Sequence, residues 1–293
     1  MSSGFIPGIQ PSEDFTVRPA LWFLFRGFRL LVSRGELPRL TSPDKAGLSL
    51  VRRQFLGYLN DESQAMPCYC GELEDDAVLP DGYTPENLRA LYATLDETLF
   101  WLAGRAVQIV DWDRNHQYCG RCGRRTIPHA SERAKVCPEC KLASYPRLSP
   151  AVIVRVQRMT PDGSEILLAR AKRFPSTTMF SVLAGFVEPG ETLEECVERE
   201  VFEETGISVR NIQYFGSQPW PFPNSLMVAF TADYADGILT ADPQELEEAA
   251  WFSANALPLV PSPPSIASRL IWTWRESIAR ESTARESTEA AAD

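Results

Sequence analysis

From Glu191 the chain reads ETLEECVEREVFEETGI, which places Glu191, Glu194, Glu195, Glu198, Glu200, Glu203 and Glu204 within fourteen residues and sets only Arg199 against them. On a helix, residues three and four apart share a face, so Glu200, Glu203 and Glu204 aim their carboxylates toward one region of space. Like charges at that spacing cost only a few tenths of a kcal/mol each when solvated; in a cleft they cost more, or protonate. A hard divalent cation with oxygen ligands, Mg²⁺ or Mn²⁺, relieves the repulsion and gives a pyrophosphate something to bind. A solvated acidic face is the usual reading of a charge run. It does not account for GFVEPGE immediately before the helix, a Gly- and Pro-containing backbone suited to close approach to a ligand.

Cys119 and Cys122 in YCGRCG, then Cys137 and Cys140 in VCPEC, form a second constellation. Two such knuckles bring four thiolates to the corners of a tetrahedron, which fits Zn²⁺ and its preference for sulfur. Four protein ligands leave the metal no open position, so this site is expected to fold a small segment rather than to do chemistry. His116 and His129 are nearby but are not needed as ligands. Cys68 and Cys70 in PCYCG, and Cys196 inside the acidic helix, read as small apolar packing residues.

These residues must be positioned by a chain of 293, long enough for one large domain or two to three small ones, with 44% hydrophobic content. Residues 1–115 read as a mixed α/β domain in which ALWFLFRGFRLLV supplies core strands. A helix is predicted from the spacing of Leu88, Leu91, Leu95, Leu99 and Leu102, with Thr84-Pro85 as its start signal. Residues 116–146 are the four-cysteine ribbon. Residues 147–275 show strand-like PAVIVRVQR, EILLAR, FSVLAGF and SLMVAFTADY around the acidic helix. The tail, 276–293, repeats RESIARESTAREST every five residues, a period of neither helix face nor strand face, and reads as a frayed helix or disordered.

Net charge of −10 argues against a broad electrostatic grip on nucleic acid. The best apolar run, Ala20 to Val32, carries two arginines and is not a membrane span. The start MSSGFIPGIQPSED lacks the basic and apolar segments of a secretory signal. With seven cysteines, an odd number, and four of them in CxxC pairs, a reducing, cytoplasmic location is expected.

Read as Gly185, five residues, Glu191, seven residues, then Arg-Glu-Val-Phe-Glu-Glu-Thr-Gly-Ile, the acidic segment meets every fixed position of the Nudix box. The chain therefore resembles the Nudix hydrolases, which cleave nucleoside diphosphates linked to another moiety. SQPWPF from Ser217, together with the preceding four-cysteine ribbon, NHQYCGRCG, YPRLSP and DPQELEEAAWF, narrows the resemblance to the NADH pyrophosphatase subfamily over residues 95–275. It implies an α/β/α Nudix sandwich after the ribbon, and hydrolysis of NADH or NAD⁺ to nicotinamide mononucleotide and AMP. Removal of NAD caps from RNA breaks the same bond.

By that resemblance Glu200 and Glu204 are the main metal ligands, with Glu203 beside them, Glu245 as a further ligand and the carbonyl of Ala184 contributing. Arg199 orients the glutamates. The metals polarise the phosphates and activate a water, and the general base is left open among Glu203, Glu204 and Glu245. Positions near the substrate are Glu132, Tyr145, Ala267 and the run Gln218, Pro219, Trp220, Pro221, Phe222, Pro223, Asn224 and Ser225. Phe186 stacks on a ring, and Arg34 stands where the subfamily usually has lysine. A homodimer is implied as well.

Two rival readings are a broader dinucleotide or ADP-ribose pyrophosphatase, and a regulatory protein whose ribbon, locally basic through Arg121, Arg124, Arg125 and Arg133, grips RNA while the Nudix fold senses a nucleotide.

Overall fold

The structure, a computed structural model, describes residues 4–11, 18–60, 65–172 and 178–289. It divides into two compact units, Met1–Arg147 with Pro221–Asn224, and Leu148–Trp220 with Ser225–Asp293.

The first unit is built on a seven-stranded sheet. Its strands are β1 (Phe5–Pro7), β2 (Ala20–Arg26), β3 (Arg29–Ser33), β4 (Arg39–Leu40), β5 (Leu50–Asn60), β6 (Ala65–Leu73) and β7 (Tyr83–Asn87), ordered β1-β5-β6-β2-β3-β7 with β4 beside β2. β2 shows why ALWFLFR carries no polar residue before its end. Leu21, Phe23 and Phe25 point into the core under helix α1 (Glu97–Asn115), while Ala20, Trp22 and Leu24 point into a second cluster on the other face. A strand covered on both faces has no side on which alternation could appear. Cys68 and Cys70 lie in β6, fully buried in the core, and burial pushes both thiols up to about 12. The packing role expected of them fits this.

The helix predicted from Leu88 onward begins later. Thr84 and Pro85 pair with Val32 and Leu31 in β7, and α1 starts only after Asp96, whose side chain accepts hydrogen bonds from the N–H groups of Thr98 and Leu99 at 2.9 and 3.4 Å. Leu88 and Leu91 still join the α1 core. The leucine spacing therefore tracked one core rather than one helix. Asp96 is the better N-cap because its carboxylate satisfies two orphan donors, which Thr84-Pro85 does not do here.

The ribbon, part of the first unit, pairs β8 (Ile127–Pro128), β9 (Lys135–Val136) and β10 (Ala143–Ser144) in the order β10-β9-β8. The four Sγ atoms of Cys119, Cys122, Cys137 and Cys140 all lie within 4.8 Å of one another. Specific gaps are 3.5 Å for Cys119–Cys140, 3.4 Å for Cys122–Cys137 and 3.7 Å for Cys122–Cys140. Four sulfurs about 2.3 Å from a tetrahedral centre would lie roughly 3.8 Å apart, so the donor set fits zinc. Backbone N–H groups of Cys122 and Arg121 hold the Cys119 thiol down to about 6, while at Cys122 the Arg124 amide is outweighed by the contacts with Cys137 and Cys140, which push the thiol up to about 12. His116 instead contacts the Trp112 carbonyl through Nδ1 at 2.7 Å, and His129 Nδ1 accepts from Ser131 N–H at 3.3 Å.

Between the knuckles, Lys135 reaches Asp113 of α1, and both side chains are buried. The Asp113 carboxylate also accepts from Gln54 at 2.9 Å and Gln117 at 2.7 Å. A buried charge pair is tolerated only when its remaining hydrogen-bond capacity is met, as it is here, and removing one partner is strongly destabilising. The ribbon is thus pinned to the helix that covers the sheet.

The second unit consists of β11 (Ser149–Thr160), β12 (Gly163–Ala171), β13 (Leu183–Phe186), α2 (Leu193–Thr205), β14 (Ile207–Trp220), β15 (Ser225–Gly237), β16 (Leu246–Ser253) and α3 (Ile266–Glu289). The sheet order is β14-β15-β11-β12-β16, with β13 on β11 and the β11–β15 pair parallel. Along β11, Val152, Val154 and Val156 pack against Cys196, Val197 and Val201 of α2. Ile153 faces the opposite way, to Ile266, Leu270, Ile271 and Trp274 of α3. Helices on both faces make the expected α/β/α sandwich. The tail repeat continues α3 as helix to Glu289 rather than as a disordered segment. Its five-residue period sets Glu276 and Glu281 four residues before Arg280 and Arg285, and Glu276 and Arg280 form such a pair at 3.6 Å, a spacing that supports helix. Among the described residues, no helix is long and apolar enough to cross a membrane.

Stripping zinc with a chelator should unfold the ribbon and loosen the α1 contact together. With a contribution on the order of 5 kcal/mol, thermal denaturation should show the melting temperature falling by about 10–20 °C. An unchanged melting temperature after verified zinc loss would show that the ribbon folds without metal.

Candidate active site

Helix α2 is set by its ends. Thr192 accepts from the N–H of Glu195 at 3.2 Å while the Glu195 carboxylate accepts from the N–H of Thr192 at 2.8 Å, a reciprocal capping box. Glu195 is thereby committed to structure. At the other end Gly206 takes a left-handed conformation, φ 69°, and its N–H bonds to the Phe202 carbonyl at 2.8 Å. Cys196, Val197, Val201 and Thr205 form the buried face. Glu204 falls on that face too and is only 5% exposed, an unusual place for a carboxylate.

Arg199 sits at the centre of the acidic groups. Its Nε and Nη2 donate to the two oxygens of Glu191 at 2.7 and 2.9 Å, its Nη1 to Glu200 at 2.8 Å and Glu203 at 3.0 Å, and Nη2 also to the Phe186 carbonyl at 2.9 Å. One planar fork therefore positions three carboxylates and the backbone of the loop before α2. Glu191 was counted among the acids from sequence but given no role. Its fixed place six residues after Gly185 was the available signal. The bidentate bond to Arg199 holds the Glu191 carboxyl down to about 2, and the three carboxylates raise the Arg199 pKa in turn.

Gly185 explains the loop. An ideal Cβ there would lie 1.7 Å from the Glu200 carboxyl carbon, so the carboxylate occupies the space a side chain would need. Gly185 and Ala184 are held in β13, opposite Val152 and Ile153 of β11. Burial raises the Glu200 pKa; Arg199 opposes this, and the negative charges of Glu203 and Glu245 add to it. Glu245 is drawn toward α2 by its own turn, because Asp242 N–H bonds to the Glu204 carbonyl at 2.9 Å and Glu245 N–H to Asp242 O at 3.2 Å. Cys196 is buried, with its thiol pushed up to about 12 by burial and Sγ 3.4 Å from the Phe186 carbonyl. It packs, as expected. Among the described residues only the four cysteines converge closely enough for a common ion; the glutamates are gathered around Arg199 instead.

The residues expected near substrate have several structural duties. In the second unit, Gln218 is 7% exposed and uses both ends of its amide at the start of α3, accepting from Ile266 N–H at 2.8 Å and donating to Pro264 O at 2.9 Å. Ala267 is buried just after it, and Ser225 is buried opposite Trp220. Pro219 pairs with Leu226. Phe186 is 55% exposed, its ring open for stacking. In the first unit, Pro221 packs on α1 at Gly104, where an added Cβ would come within 2.7 Å of it. Phe222 joins the α1 core beneath the Arg89 guanidinium, 4.4 Å from the ring centre, with Pro223 and Asn224 following it in that unit. The Tyr145 hydroxyl donates to Glu132 at 2.6 Å. Arg34 is an exposed turn residue with φ 52°, its N–H bonding to Gly82 O at 3.3 Å.

Replacing Arg199 with alanine should return Glu191 from about 2 to the ordinary carboxylate range, read by NMR titration of its Cδ. The sign follows from linkage: a depressed folded pKa contributes stability above the unfolded value and loses it as pH falls toward about 2, so the wild type, not the variant, should show this acid-side loss. A Glu191 that still titrates near 2 without Arg199 would break the assignment.

Comparison with known proteins matches three family models to this chain: an NADH pyrophosphatase-like rudimentary NUDIX domain at residues 19–112, an NADH pyrophosphatase zinc ribbon domain at 114–145, and a NUDIX domain at 148–270. A protein named NAD-capped RNA hydrolase NudC from Deinococcus radiodurans is 45% identical over 253 residues, 86% of each chain. Proteins of the same name from Erwinia tasmaniensis and Pseudomonas fluorescens are 47% identical over 88% of this chain and 93% of theirs, and 48% identical over 76% and 78%. With the ribbon's four cysteines gathered as a zinc site and the box glutamates gathered around Arg199, this chain belongs to the NUDIX family, among the hydrolases that carry an NADH pyrophosphatase-like domain and zinc ribbon ahead of the NUDIX domain.

Proposed function

We propose that this protein hydrolyses the pyrophosphate bond of NAD(H), giving nicotinamide mononucleotide, reduced or not, and AMP, and removes NAD caps from RNA 5′ ends by breaking the same bond. The observation that carries this reading is the Arg199-centred glutamate cluster against Gly185, in a chain that aligns along most of its length with proteins named NAD-capped RNA hydrolases.

The donor set suits a hard divalent ion, Mg²⁺ or Mn²⁺. Glu191, Glu200 and Glu203 share a single guanidinium, and burial, with a smaller contribution from the negative charges of Glu203 and Glu245, raises the Glu200 pKa against the pull of Arg199. Glu200 and Glu204 would hold the ion, with Glu245 and the Ala184 carbonyl completing the set and Glu203 beside them. When bound, such an ion neutralises and polarises the bridging phosphates and lowers the pKa of a water. Arg199 keeps the glutamates in register, and one of Glu203, Glu204 or Glu245 accepts the water's proton. Phe186 offers its exposed ring to a base or nicotinamide. Arg34, Glu132, Tyr145, Gln218 to Ser225 and Ala267 are the further substrate positions carried by the family likeness, with Gln218 acting through the start of α3. The zinc is structural, the location cytoplasmic and the working form a homodimer, for which sedimentation at twice the chain mass is the check.

Exposed Arg121, Arg124 and Arg125 give the ribbon a basic edge suited to an RNA body. Arg133 does not belong to that edge, because its Nη2 is spent on the Phe55 carbonyl at 2.8 Å. The rival reading as a broader pyrophosphatase is decided by relative rates.

Incubation of the purified protein with NADH and Mn²⁺ or Mg²⁺ should release AMP and reduced nicotinamide mononucleotide, identified by chromatography with mass detection. Faster turnover of ADP-ribose than of NADH would overturn the substrate assignment. Glu204→Gln and Gly185→Ala should each lower kcat by about 100-fold or more with circular dichroism unchanged, the second by pushing Glu200 out of its place. A Gly185→Ala enzyme with full activity would show that Glu200 need not sit there.

A further inference from the structure

We propose that the first unit holds a second ligand site, separate from the acidic helix, which takes a nucleoside monophosphate. Its location is a cavity of about 460 Å³ walled by the sheet, α1 and the loop between the two zinc knuckles, all within that unit. This volume is in the range of small-molecule sites.

One wall is aromatic. Tyr69, half-buried, is backed by Trp22 in a stacked pair with ring centres 4.7 Å apart, and Phe55 meets its edge at 5.1 Å. Such a wall offers a face to a planar ring, and stacking of this kind is tolerant of which base is presented.

The polar lining is one-sided. Arg18, Arg53, Arg133 and Lys135 face the cavity, and Glu132 is the only acid among its described lining residues. Lys135 is neutralised by Asp113, and the Glu132 carboxylate already accepts the Tyr145 hydroxyl. Arg53 and Arg133 have no ion pair among the described residues. Two enclosed donors at the wall, Arg133 Nη1 and the indole Nε1 of Trp112, a residue only 4% exposed, have no hydrogen-bond partner among the described residues. Orphaned buried donors are rare, and each calls for an acceptor that none of the described residues provides.

Spare positive charge and spare donors favour an acceptor-rich anion, and guanidinium groups match phosphate geometry. The aromatic wall adds the requirement for a ring. A phosphate on a base-bearing sugar meets both. Since the zinc knuckles position Arg133 and Lys135, the site should be present only while zinc holds the ribbon.

Isothermal titration of the zinc-loaded full chain with AMP, without added Mg²⁺ or Mn²⁺, tests this. Binding should persist in Glu200→Gln, weaken at least tenfold in Arg53→Glu, and vanish on zinc removal, while Arg53→Glu keeps wild-type kcat and KM for NADH. Adenosine and inorganic phosphate, titrated separately, should each bind at least tenfold more weakly than AMP. No AMP binding to the wild type, wild-type affinity in Arg53→Glu, or phosphate alone binding as tightly as AMP would each overturn the site. Hydrolysis of NADH is read independently, so failure here leaves the proposed activity standing, and loss of that activity would leave this cavity to be judged on AMP binding alone.

Discussion

The second unit depends on one crowded contact, the Arg199 guanidinium set among Glu191, Glu200 and Glu203 with Glu200 pressed onto Gly185. Each carboxylate alone would repel its neighbours on α2. A lysine could not replace the arginine, because only a planar fork reaches both oxygens of Glu191 while turning its third nitrogen to two more acids. The hydrogen bond from Arg199 to the Phe186 carbonyl extends the same order to the loop ahead of the helix. Loop and helix are therefore one electrostatic object, and the glutamates are in place before any ligand arrives. Such preorganisation lets a site bind charge without reorganising at the moment of reaction.

The first unit has its own equivalent in Asp113. This carboxylate is 4% exposed, yet it is satisfied by Lys135 from the ribbon, Gln54 from β5 and Gln117 after α1. A ribbon of three two-residue strands has almost no apolar core of its own, so metal binding and this buried pair must supply what hydrophobic burial cannot. The same loop that delivers Lys135 delivers Arg133 to the Phe55 carbonyl, so ribbon and sheet share polar groups that neither could bury alone.

The shared face of the α2 glutamates and the four-cysteine set were legible in the residues because their constraints are local. Spacing along one helix decides which glutamates share a face, and two CxxC pairs decide a tetrahedral ligand set whatever the rest of the chain does. The apolar run from Ala20 could be read as strand for the same reason, since two buried faces demand an unbroken apolar stretch. The leucines from Leu88 to Leu102 misled because burial in a common core does not require a common element: Leu88 and Leu91 reach the α1 core from outside the helix. The long strand β14 gave no pattern to read. Its side chains are mostly exposed or half-buried, and register shifts break its pairing with β15 in three places.

What the chain order determined by itself was the identity of the four zinc-type cysteines and of the acidic groups, since box spacing and knuckles act over a few residues. Tertiary structure alone decided which of those groups are occupied by structural work. Gln218 goes to the start of α3, Phe222 to the core under α1 and Arg133 to backbone carbonyls. A polar or aromatic side chain looks equally fit for substrate or for packing until the partners brought to it from distant parts of the chain are known, and those partners are chosen by burial rather than by neighbours in sequence.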